Sequence, residues 1–338
     1  MTEPPPPAPA EPPDSLQAPL PAPGPGCRLC VATIGDAESV GRPAIEELDG
    51  PTFNGVPVLA SDGAELAVIG RGADRALRVW LGQPGALDHV SVIEGDLRPV
   101  SLVRHLDRWH LFGADADGRA WHGSSPDLRE WTVDERFTTE HPLLVVHGAT
   151  SMLEGVVVLG EVISSGRRMG WTLLEGADGP YRAREIAFPL MADHEAVGPV
   201  RISDDEMGLV CSSGATYLVA RTVAGTRRRS WTLSLLAPEV IAVFSFVIGR
   251  QMWVGGSDPN GGRPIMSAVG GRAFHLDSAG GGVVAGVIHR HQMVLVRRSE
   301  VNASAVVPRA EGVCEASAAP EFGRAQSSPA YIDSISAA

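Results

Sequence analysis

Short runs of alternating apolar and polar residues, separated by turn residues, follow one another through most of the chain. The clearest stretch begins with Arg108-Trp-His-Leu-Phe-Gly113, passes Asp117-Gly118 into Arg119-Ala-Trp121, and reaches Trp131 after a Ser-Pro-Asp turn. Alternation with a period of two is typical of half-buried β-strands, and Asp-Gly and Ser-Pro-Asp are typical of tight turns. This stretch therefore predicts three short strands joined by turns, the last of them bearing a tryptophan.

The first strand of this stretch belongs to a repeat. Its copies share a polar start, an apolar middle and usually a final glycine, and they are Glu65-Leu-Ala-Val-Ile-Gly70, Arg108-Trp-His-Leu-Phe-Gly113, Gly155-Val-Val-Val-Leu-Gly160, Glu206-Met-Gly-Leu-Val-Cys211, Gln251-Met-Trp-Val-Gly-Gly256 and Gln292-Met-Val-Leu-Val-Arg297. Successive copies start 41 to 51 residues apart. Repeats of this length with several short strands are typical of propeller blades. The sequence predicts an all-β, six-bladed β-propeller of four-stranded antiparallel blades, with five blades as the alternative count.

An apolar inner strand precedes each copy of the repeat. These strands are Val56–Ala60, Val100–Arg104, Leu143–His147, Val197–Arg201, Val243–Val247 and Val283–Val287. The sixth blade lacks an obvious fourth strand, which either Val313-Cys314 or Arg28-Leu-Cys-Val-Ala32 would supply. In the second case the two chain ends pair and close the ring, which removes an exposed sheet edge.

The composition of the two ends differs from that of the repeats. Residues 1–26 are rich in Pro, Ala and Gly with hardly any large apolar side chain, a composition that cannot offset the entropy of ordering. We expect a disordered tail over 1–26, a single propeller over 27–315 and a C-terminal tail over 316–338.

Charge and hydropathy exclude several classes of partner. The net charge of −12 argues against a nucleic-acid-binding surface, which needs a basic stripe. No apolar run approaches the ~20 residues of a membrane span, and the N-terminus has no secretory signal pattern. We expect a cytoplasmic monomer that binds neither nucleic acid nor a membrane and has a small molecule as its partner.

The chain has no motif that indicates a cofactor or a metal. Cys27-Arg-Leu-Cys30 is a CxxC motif, but no second CxxC and no His pair at ligand spacing follows it. In an exported protein Cys27 or Cys30 could instead bridge to Cys314. Gly-rich phosphate loops and haem motifs do not occur either. The expectation is a protein without cofactor or metal.

The segment Ser125-Pro-Asp-Leu-Arg-Glu-Trp131 resembles a motif of glycoside hydrolases of the arabinanase, levansucrase and invertase type. It also resembles the Asp-box of sialidase-like propellers. The resemblance covers one blade, from about Arg98 to Phe137, with Ser230-Trp231 as a weaker copy. It implies a propeller in which this segment is a structural hairpin, with the Asp side chain bonded to turn amides and the Trp packed between blades.

Candidate site residues are taken from the connections between blades and from the turns between second and third strands, because ligand sites of propellers usually lie on that face, over the channel. Phe244 and Phe246 are added from an inner strand. A His beside a carboxylate can act as a general acid or base near neutral pH. The candidates for catalysis are Glu140, His141, Asp193, His194 and Glu195, and the candidates for ligand binding are Asn54, Arg98, Glu239, Asp258, Phe244 and Phe246.

The inner strands carry hardly any acidic residues and many apolar ones. This predicts a channel that is either plugged by side chains or open to an apolar small molecule, and it favours an enzyme of the cyclase, isomerase or lyase type that uses acid/base chemistry without a cofactor. Two alternatives remain: a glycosidase-like hydrolase or carbohydrate-binding propeller, and a non-catalytic interaction scaffold. The fold alone does not rank them.

Overall fold

The structure is a computed structural model. It describes residues 26–33, 45–72, 74–134, 137, 144–153, 155–162, 167–176, 179–187, 195–213, 216–223, 231–235, 240–257, 264–269, 273–276, 283–290 and 292–298. All of them belong to the compact unit Met1–Val301, and the second unit, Asn302–Ala338, lies outside the described residues.

The described residues are almost entirely β-structure. Three strands come first in the chain: β1 (Gly26–Thr33), β2 (Ile45–Glu47) and β3 (Phe53–Asn54). Five four-stranded antiparallel sheets follow, each built from four consecutive strands.

Blade 1 comprises β4 (Val58–Ser61), β5 (Leu66–Arg71), β6 (Leu77–Gln83) and β7 (Ala86–Ile93). Blade 2 comprises β8 (Arg98–His105), β9 (Arg108–Ala114), β10 (Ala120–Ser125) and β11 (Thr132–Val133). Blade 3 comprises β12 (Leu144–Met152), β13 (Gly155–Val162), β14 (Arg167–Gly176) and β15 (Gly179–Ala187).

Blade 4 comprises β16 (Glu195–Arg201), β17 (Glu206–Ser213), β18 (Thr216–Val223) and β19 (Trp231–Leu235). Blade 5 comprises β20 (Ile241–Ile248), β21 (Gln251–Ser257), β22 (Pro264–Ala268) and β23 (Ala273–His275). The sixth sheet contains β24 (Val283–His289) and β25 (Gln292–Arg298) together with β1, β2 and β3.

The first strands of the six sheets form a closed ring. Each of β4, β8, β12, β16, β20 and β24 contacts its neighbour in that order, and β24 contacts β4. Hydrophobic clusters fill the space between sheets, as where Trp109 and Leu111 of blade 2 pack with Ile69 and Val79 of blade 1. The predicted β-propeller of four-stranded antiparallel sheets is confirmed.

The two ends of the propeller meet in the sixth sheet. Strand β1 runs antiparallel to β25, with partners from Cys27 opposite Arg298 to Thr33 opposite Gln292. The other edge of β1 pairs with β2, so that the order is β24, β25, β1, β2. The segment Arg28–Ala32 is therefore the third strand of this blade, and the prediction that it forms the fourth is wrong. The reason is that β25 presents the free edge of a two-stranded hairpin, which β1 takes directly, leaving the outer position to Ile45–Glu47.

Five of the six inner strands share a bulge near their beginning. The pairing register shifts by one residue at Val100 in β8, His147 in β12, Val243 in β20 and Val284 in β24, and between Val197 and Val200 in β16. A bulge adds one residue to one strand and turns it out of the ladder. The added residues consequently lie at a similar level around the ring.

These bulges explain the glycine at the end of the repeat. Gly113 is paired with Pro99 and Gly256 with Ala242, the residues just before the bulge. A Cβ on Gly113 would collide with the carbonyl oxygen of Arg98, and a Cβ on Gly256 with that of Ile241. Blades 2 and 5 therefore require glycine, because the inner strand's backbone crosses too close for a side chain, whereas Cys211 and Arg297 occupy the equivalent position in blades 4 and 6.

At the other end of the inner strands, near the hairpins that follow them, neighbouring blades are joined by side chains at one equivalent level. Three of these junctions are polar: His289 with Ser61, Asp62 with Arg104, and His105 with Ser151. At the junction between blades 4 and 5 the corresponding residues are apolar, since Ile202 and Val247 belong to one hydrophobic cluster. We call this level the hairpin end of the channel, and the level of the bulges the entry end.

We expect Gly113→Ala to lower the free energy of unfolding by about 1–3 kcal/mol, because the added methyl group must displace the backbone of β8. The measurement is urea denaturation followed by tryptophan fluorescence. Gly50→Ala is the matched control, since a Cβ there meets nothing within 4 Å. Equal stability of the two variants would contradict the account of the repeat glycine.

Candidate functional site

The inner strands of the described residues surround a central channel. It encloses a cavity of about 680 Å³. Segments of all six blades line it: Val56–Ser61, Pro99–Arg104, His147–Ser151, Val197–Arg201, Val243–Val247 and Val284–Ile288. This volume falls in the range of small-molecule sites, roughly 300–1,000 Å³.

The entry end of the channel is apolar. Val56, Val100 and Val243 remain 43%, 37% and 39% exposed although they belong to the innermost layer of the propeller. Val100 and Val243 are bulge residues, and Val284 occupies the same position in β24. The bulges therefore present aliphatic side chains to the opening.

One bulge residue is polar. His147 occupies in β12 the position that valine occupies in β8, β20 and β24, and its Nε2 lies 3.5 Å from Oε2 of Glu161 on the neighbouring strand β13. Both side chains are about a quarter to a third exposed. An imidazole beside a carboxylate at an apolar opening can bind a polar group of a ligand and can accept or donate a proton.

Positive charge and hydroxyl groups lie at the hairpin end. Nη1 of Arg104 is 3.1 Å from Oδ2 of Asp62, and its guanidinium lies 5.1 Å from the centre of the Trp109 ring. Arg201 pairs with Asp204. Ser61 and Ser151 complete the polar lining at this level. The channel is thus asymmetric, apolar at its entry end and polar at its hairpin end.

Blade 2 contains a buried polar row that the channel does not reach. Nδ1 of His110 is 3.1 Å from Nε2 of His122, whose Nδ1 is 3.0 Å from Oδ2 of Asp134. The His122 ring stacks on Phe112 with 4.4 Å between ring centres. Burial, followed by the neighbouring His122, lowers the pKa of His110 to about 3, and burial also lowers the pKa of His122. Both imidazoles are therefore neutral at physiological pH and belong to the interior of the fold.

The CxxC motif is not a site. Cys27 and Cys30 are buried free thiols in β1. Residues three apart on a strand point to opposite faces, and Cys27 packs with Phe53 whereas Cys30 packs with Leu295. Burial raises the pKa of both thiols. Within the described part of the chain no cluster of three or more His, Cys, Asp or Glu residues is placed to hold a metal.

The Ser125–Trp131 segment forms the hairpin that the resemblance implies. Oγ of Ser125 accepts a hydrogen bond from the amide of Leu128 (2.8 Å), and Oδ1 of Asp127 accepts one from the amide of Arg129 (2.9 Å). The latter bond is the main cause of the lowered pKa of Asp127. Trp131 packs against the cluster between blades 1 and 2. Every one of these groups serves the turn, so the motif carries structural information only.

Most of the predicted site residues lie outside the described residues. These are Glu140, His141, Asp193, His194, Glu239 and Asp258. Glu195 is the first residue of β16, and only its backbone is described. The assignments made for these residues stay predictions.

The remaining predicted residues have defined places. Asn54 pairs with Gly26 in β3 and Arg98 is the exposed first residue of β8, and neither lines the channel cavity. Phe244 and Phe246 do line it, but their rings stack with centres 5.9 Å apart and are buried with Met266 and Leu295 between blades 5 and 6. They form part of the wall rather than an open aromatic surface.

His147 is not among the site residues predicted from the sequence. Its position in the repeat is the feature that could have identified it. The bulge position of the inner strands is mostly valine, and His147 is the one ionisable residue there. Glu161 lies near the end of β13, next to the turn that leads to the third strand of blade 3.

Comparison with known proteins agrees with this fold. No protein family matches the sequence, and no curated protein matches it. Among solved structures, AofleA from Arthrobotrys oligospora is similar, with a TM-score of 0.53 and 11% identity over 72% of this chain and 79% of that chain. A fungal lectin from Aleuria aurantia described as a six-bladed β-propeller matches with a TM-score of 0.45 and 10% identity over 66% and 78% of the two chains.

A putative 6-phosphogluconolactonase from Bacteroides uniformis matches with a TM-score of 0.47 and 13% identity over 78% and 84%. At 11% identity the likeness to AofleA is a likeness of fold and says nothing about ligand or activity. No helix in the part of the chain that the structure describes is long and apolar enough to cross a membrane.

The buried imidazoles of blade 2 predict a pH-dependent stability. In the unfolded chain a His binds a proton below about pH 6.5, whereas folded His110 binds one only near pH 3. Between these values the unfolded state holds more protons, so stability falls as the pH falls, by about 1.4 kcal/mol per pH unit for this one group. We expect His110→Gln to remove this part of the slope, measured by urea denaturation at pH values between 4 and 6.5. The exposed His89→Gln is the control, and an unchanged slope in His110→Gln would contradict the assignment.

Proposed function

We propose that the protein binds a small, largely apolar molecule at the entry end of its central channel. The observation that supports this most is the cavity of about 680 Å³ that segments of all six blades line. A ligand inside the channel would have contacts on every side, and small-molecule sites bury most of their ligand in this way.

The chemistry of the lining favours an apolar ligand over a sugar. Val56, Val100 and Val243 keep a third or more of their surface exposed, and covering them contributes about 25 cal/mol for each Å² of apolar area removed from water. The described residues that line the cavity include no tryptophan, aspartate or glutamate. Glycosidases usually act through a pair of carboxylates. The glycosidase and carbohydrate-binding alternatives therefore receive no support from this surface.

The polar pair at the opening extends the proposal to catalysis. His147 and Glu161 lie at 3.5 Å beside the valine bulges, so that a ligand held by the apolar contacts would place a polar group near an imidazole. A neutral imidazole is a competent general base near pH 7, and its conjugate acid returns the proton. Such a pair suits cofactor-independent proton transfer, the chemistry of isomerases, cyclases and some lyases.

The binding proposal predicts that N-phenyl-1-naphthylamine, a neutral apolar fluorophore, binds the folded protein with increased fluorescence. Val243→Gln should weaken its binding about tenfold, since loss of one apolar contact of about 1.4 kcal/mol changes the dissociation constant by that factor. Val133→Gln is the matched control, because Val133 is exposed on the outer strand of blade 2. Equal weakening by both substitutions, or no binding, would rule out the entry end as the site.

The catalytic extension is tested with α-tetralone, an apolar ketone whose α-protons exchange with solvent deuterium. The protein should accelerate this exchange in proton NMR spectra, and His147→Gln should reduce the acceleration on the order of 10²-fold. N-phenyl-1-naphthylamine affinity should stay within about threefold in the same variant. An exchange rate that is the same with and without the protein would leave binding as the function and remove the acid/base role.

A further inference from the structure

The hairpin end of the channel contains a second polar group, formed where the last blade meets the first. Ser61, the last residue of β4, lies with its Oγ 2.9 Å from Nδ1 of His289, the last residue of β24. Nε2 of His289 lies 3.2 Å from Oε1 of Gln83 at the end of β6. Residues up to 228 positions apart in the chain are thus joined across the closure of the ring.

The hydrogen bonds define the direction of each donor. Nε2 of Gln83 donates to the carbonyl oxygen of Ala64 at 2.8 Å, so its Oε1 faces His289 as an acceptor. Nε2 of His289 must then carry the ring proton, and Nδ1 is left with its lone pair directed at Ser61. The Ser61 hydroxyl therefore donates to an imidazole nitrogen. This is the arrangement in which a serine is activated by a base that a third group orients.

The surroundings preserve this arrangement. His289 is 1% exposed, whereas Ser61 is partly exposed and lines the channel cavity. Burial, followed by the adjacent Arg290, lowers the pKa of His289, which keeps the imidazole neutral and able to accept a proton at neutral pH. Nη2 of Arg290 also donates to the carbonyl oxygen of Ala64 (3.1 Å), which places a guanidinium next to the Ser61 turn.

We propose that Ser61 is a nucleophile towards small carboxylic esters that enter the hairpin end of the channel, with His289 as its general base and Gln83 as the residue that positions His289. The site is separate from the entry end and does not depend on the function proposed there. Its activity would be acyl transfer to water.

Atoms and protons balance in two steps. Oγ of Ser61 forms a bond to the ester carbonyl carbon while its proton passes to Nδ1 of His289. The bond from that carbon to the alkoxy oxygen breaks, and the alkoxide takes the proton from His289. Water then attacks the acyl-serine in the same manner, which releases the carboxylic acid and restores the Ser61 hydroxyl.

The junction between blades 2 and 3 is an internal control for the alternative that a serine–histidine hydrogen bond only joins two blades. His105 and Ser151 form the same junction between blades 2 and 3, with Nδ1 and Oγ 3.0 Å apart. The position in β14 that corresponds to Gln83 in β6 is occupied by Leu174, so Gln83 has no counterpart in the sequence of blade 3. A bond that only joins blades would make the two serines equivalent, whereas the proposal distinguishes them.

The experiment uses a fluorophosphonate carrying rhodamine, in which Oγ of Ser61 would form a bond to phosphorus and displace fluoride. Labelling of the full chain is followed by fluorescence after electrophoresis, and the modified residue is identified by mass spectrometry of tryptic peptides. We expect the adduct on Ser61, its loss in Ser61→Ala and its retention in Ser151→Ala. Hydrolysis of p-nitrophenyl acetate should follow the same order, with a loss of about 10²- to 10⁴-fold in His289→Gln.

A pH profile separates catalysis from packing. The labelling rate of the wild type should fall only at a pH below the ordinary titration range of an imidazole, because the pKa of His289 is lowered and its protonation removes the base. Gln83→Glu should move the midpoint of that fall to higher pH, since a carboxylate beside Nε2 stabilises the imidazolium. Melting temperatures of all variants, measured in parallel, verify folding. Absence of an adduct on Ser61, equal labelling of Ser151, or an unmoved midpoint in Gln83→Glu would overturn the proposal.

Discussion

The pairing of β1 with β25 is the interaction on which the closed ring depends. It joins segments about 260 residues apart, and closing a loop of that length costs roughly 5 kcal/mol of chain entropy. A continuous ladder offsets this cost, and so does the burial of both faces of β1. Leu29 packs towards blade 1 and Cys30 towards blade 5, so one strand completes two hydrophobic clusters. The Ser61–His289–Gln83 group exists only because this closure brings β24 beside β4.

The bulges of the inner strands form the second constraint, and they show how far the sequence predicts the fold. Strand positions follow from alternation, blades from the repeat, and turns from Asp-Gly and Ser-Pro-Asp. The glycine that ends the repeat is visible in the sequence as well, although its cause, the close carbonyl of the bulged strand, is visible only in the structure. The bulge itself has no residue signature, since Val100, His147 and the Gly198-Pro199 pair all occupy it. The order of strands in the last blade likewise depends on which edge is free, which local sequence does not encode.

The candidate sites were less predictable than the fold for a related reason. Polar loop residues such as Asn54 and Arg98 are conspicuous in the sequence, yet they do not line the channel. Phe244 and Phe246 line the channel cavity, but two adjacent blades bury their rings. His147 and Ser61 are inconspicuous because each belongs to an ordinary strand, and their partners come from another strand or another blade. Such groups are set by register and ring geometry, so a single sequence carries little trace of them.

The position of β1 has a consequence for how the protein is made. The ribosome releases this strand first and its partner β25 last, and at 5–20 residues per second the delay is roughly 13–50 s. During that time β1, an apolar strand with two thiols, lacks the strand with which it pairs. Blades 1 to 5 emerge in order, and each can pack on the blade before it. The last assembly step is then the pairing of β1 with β25. Chaperones that shield exposed strands would be expected to act on β1 during synthesis, before β25 is available.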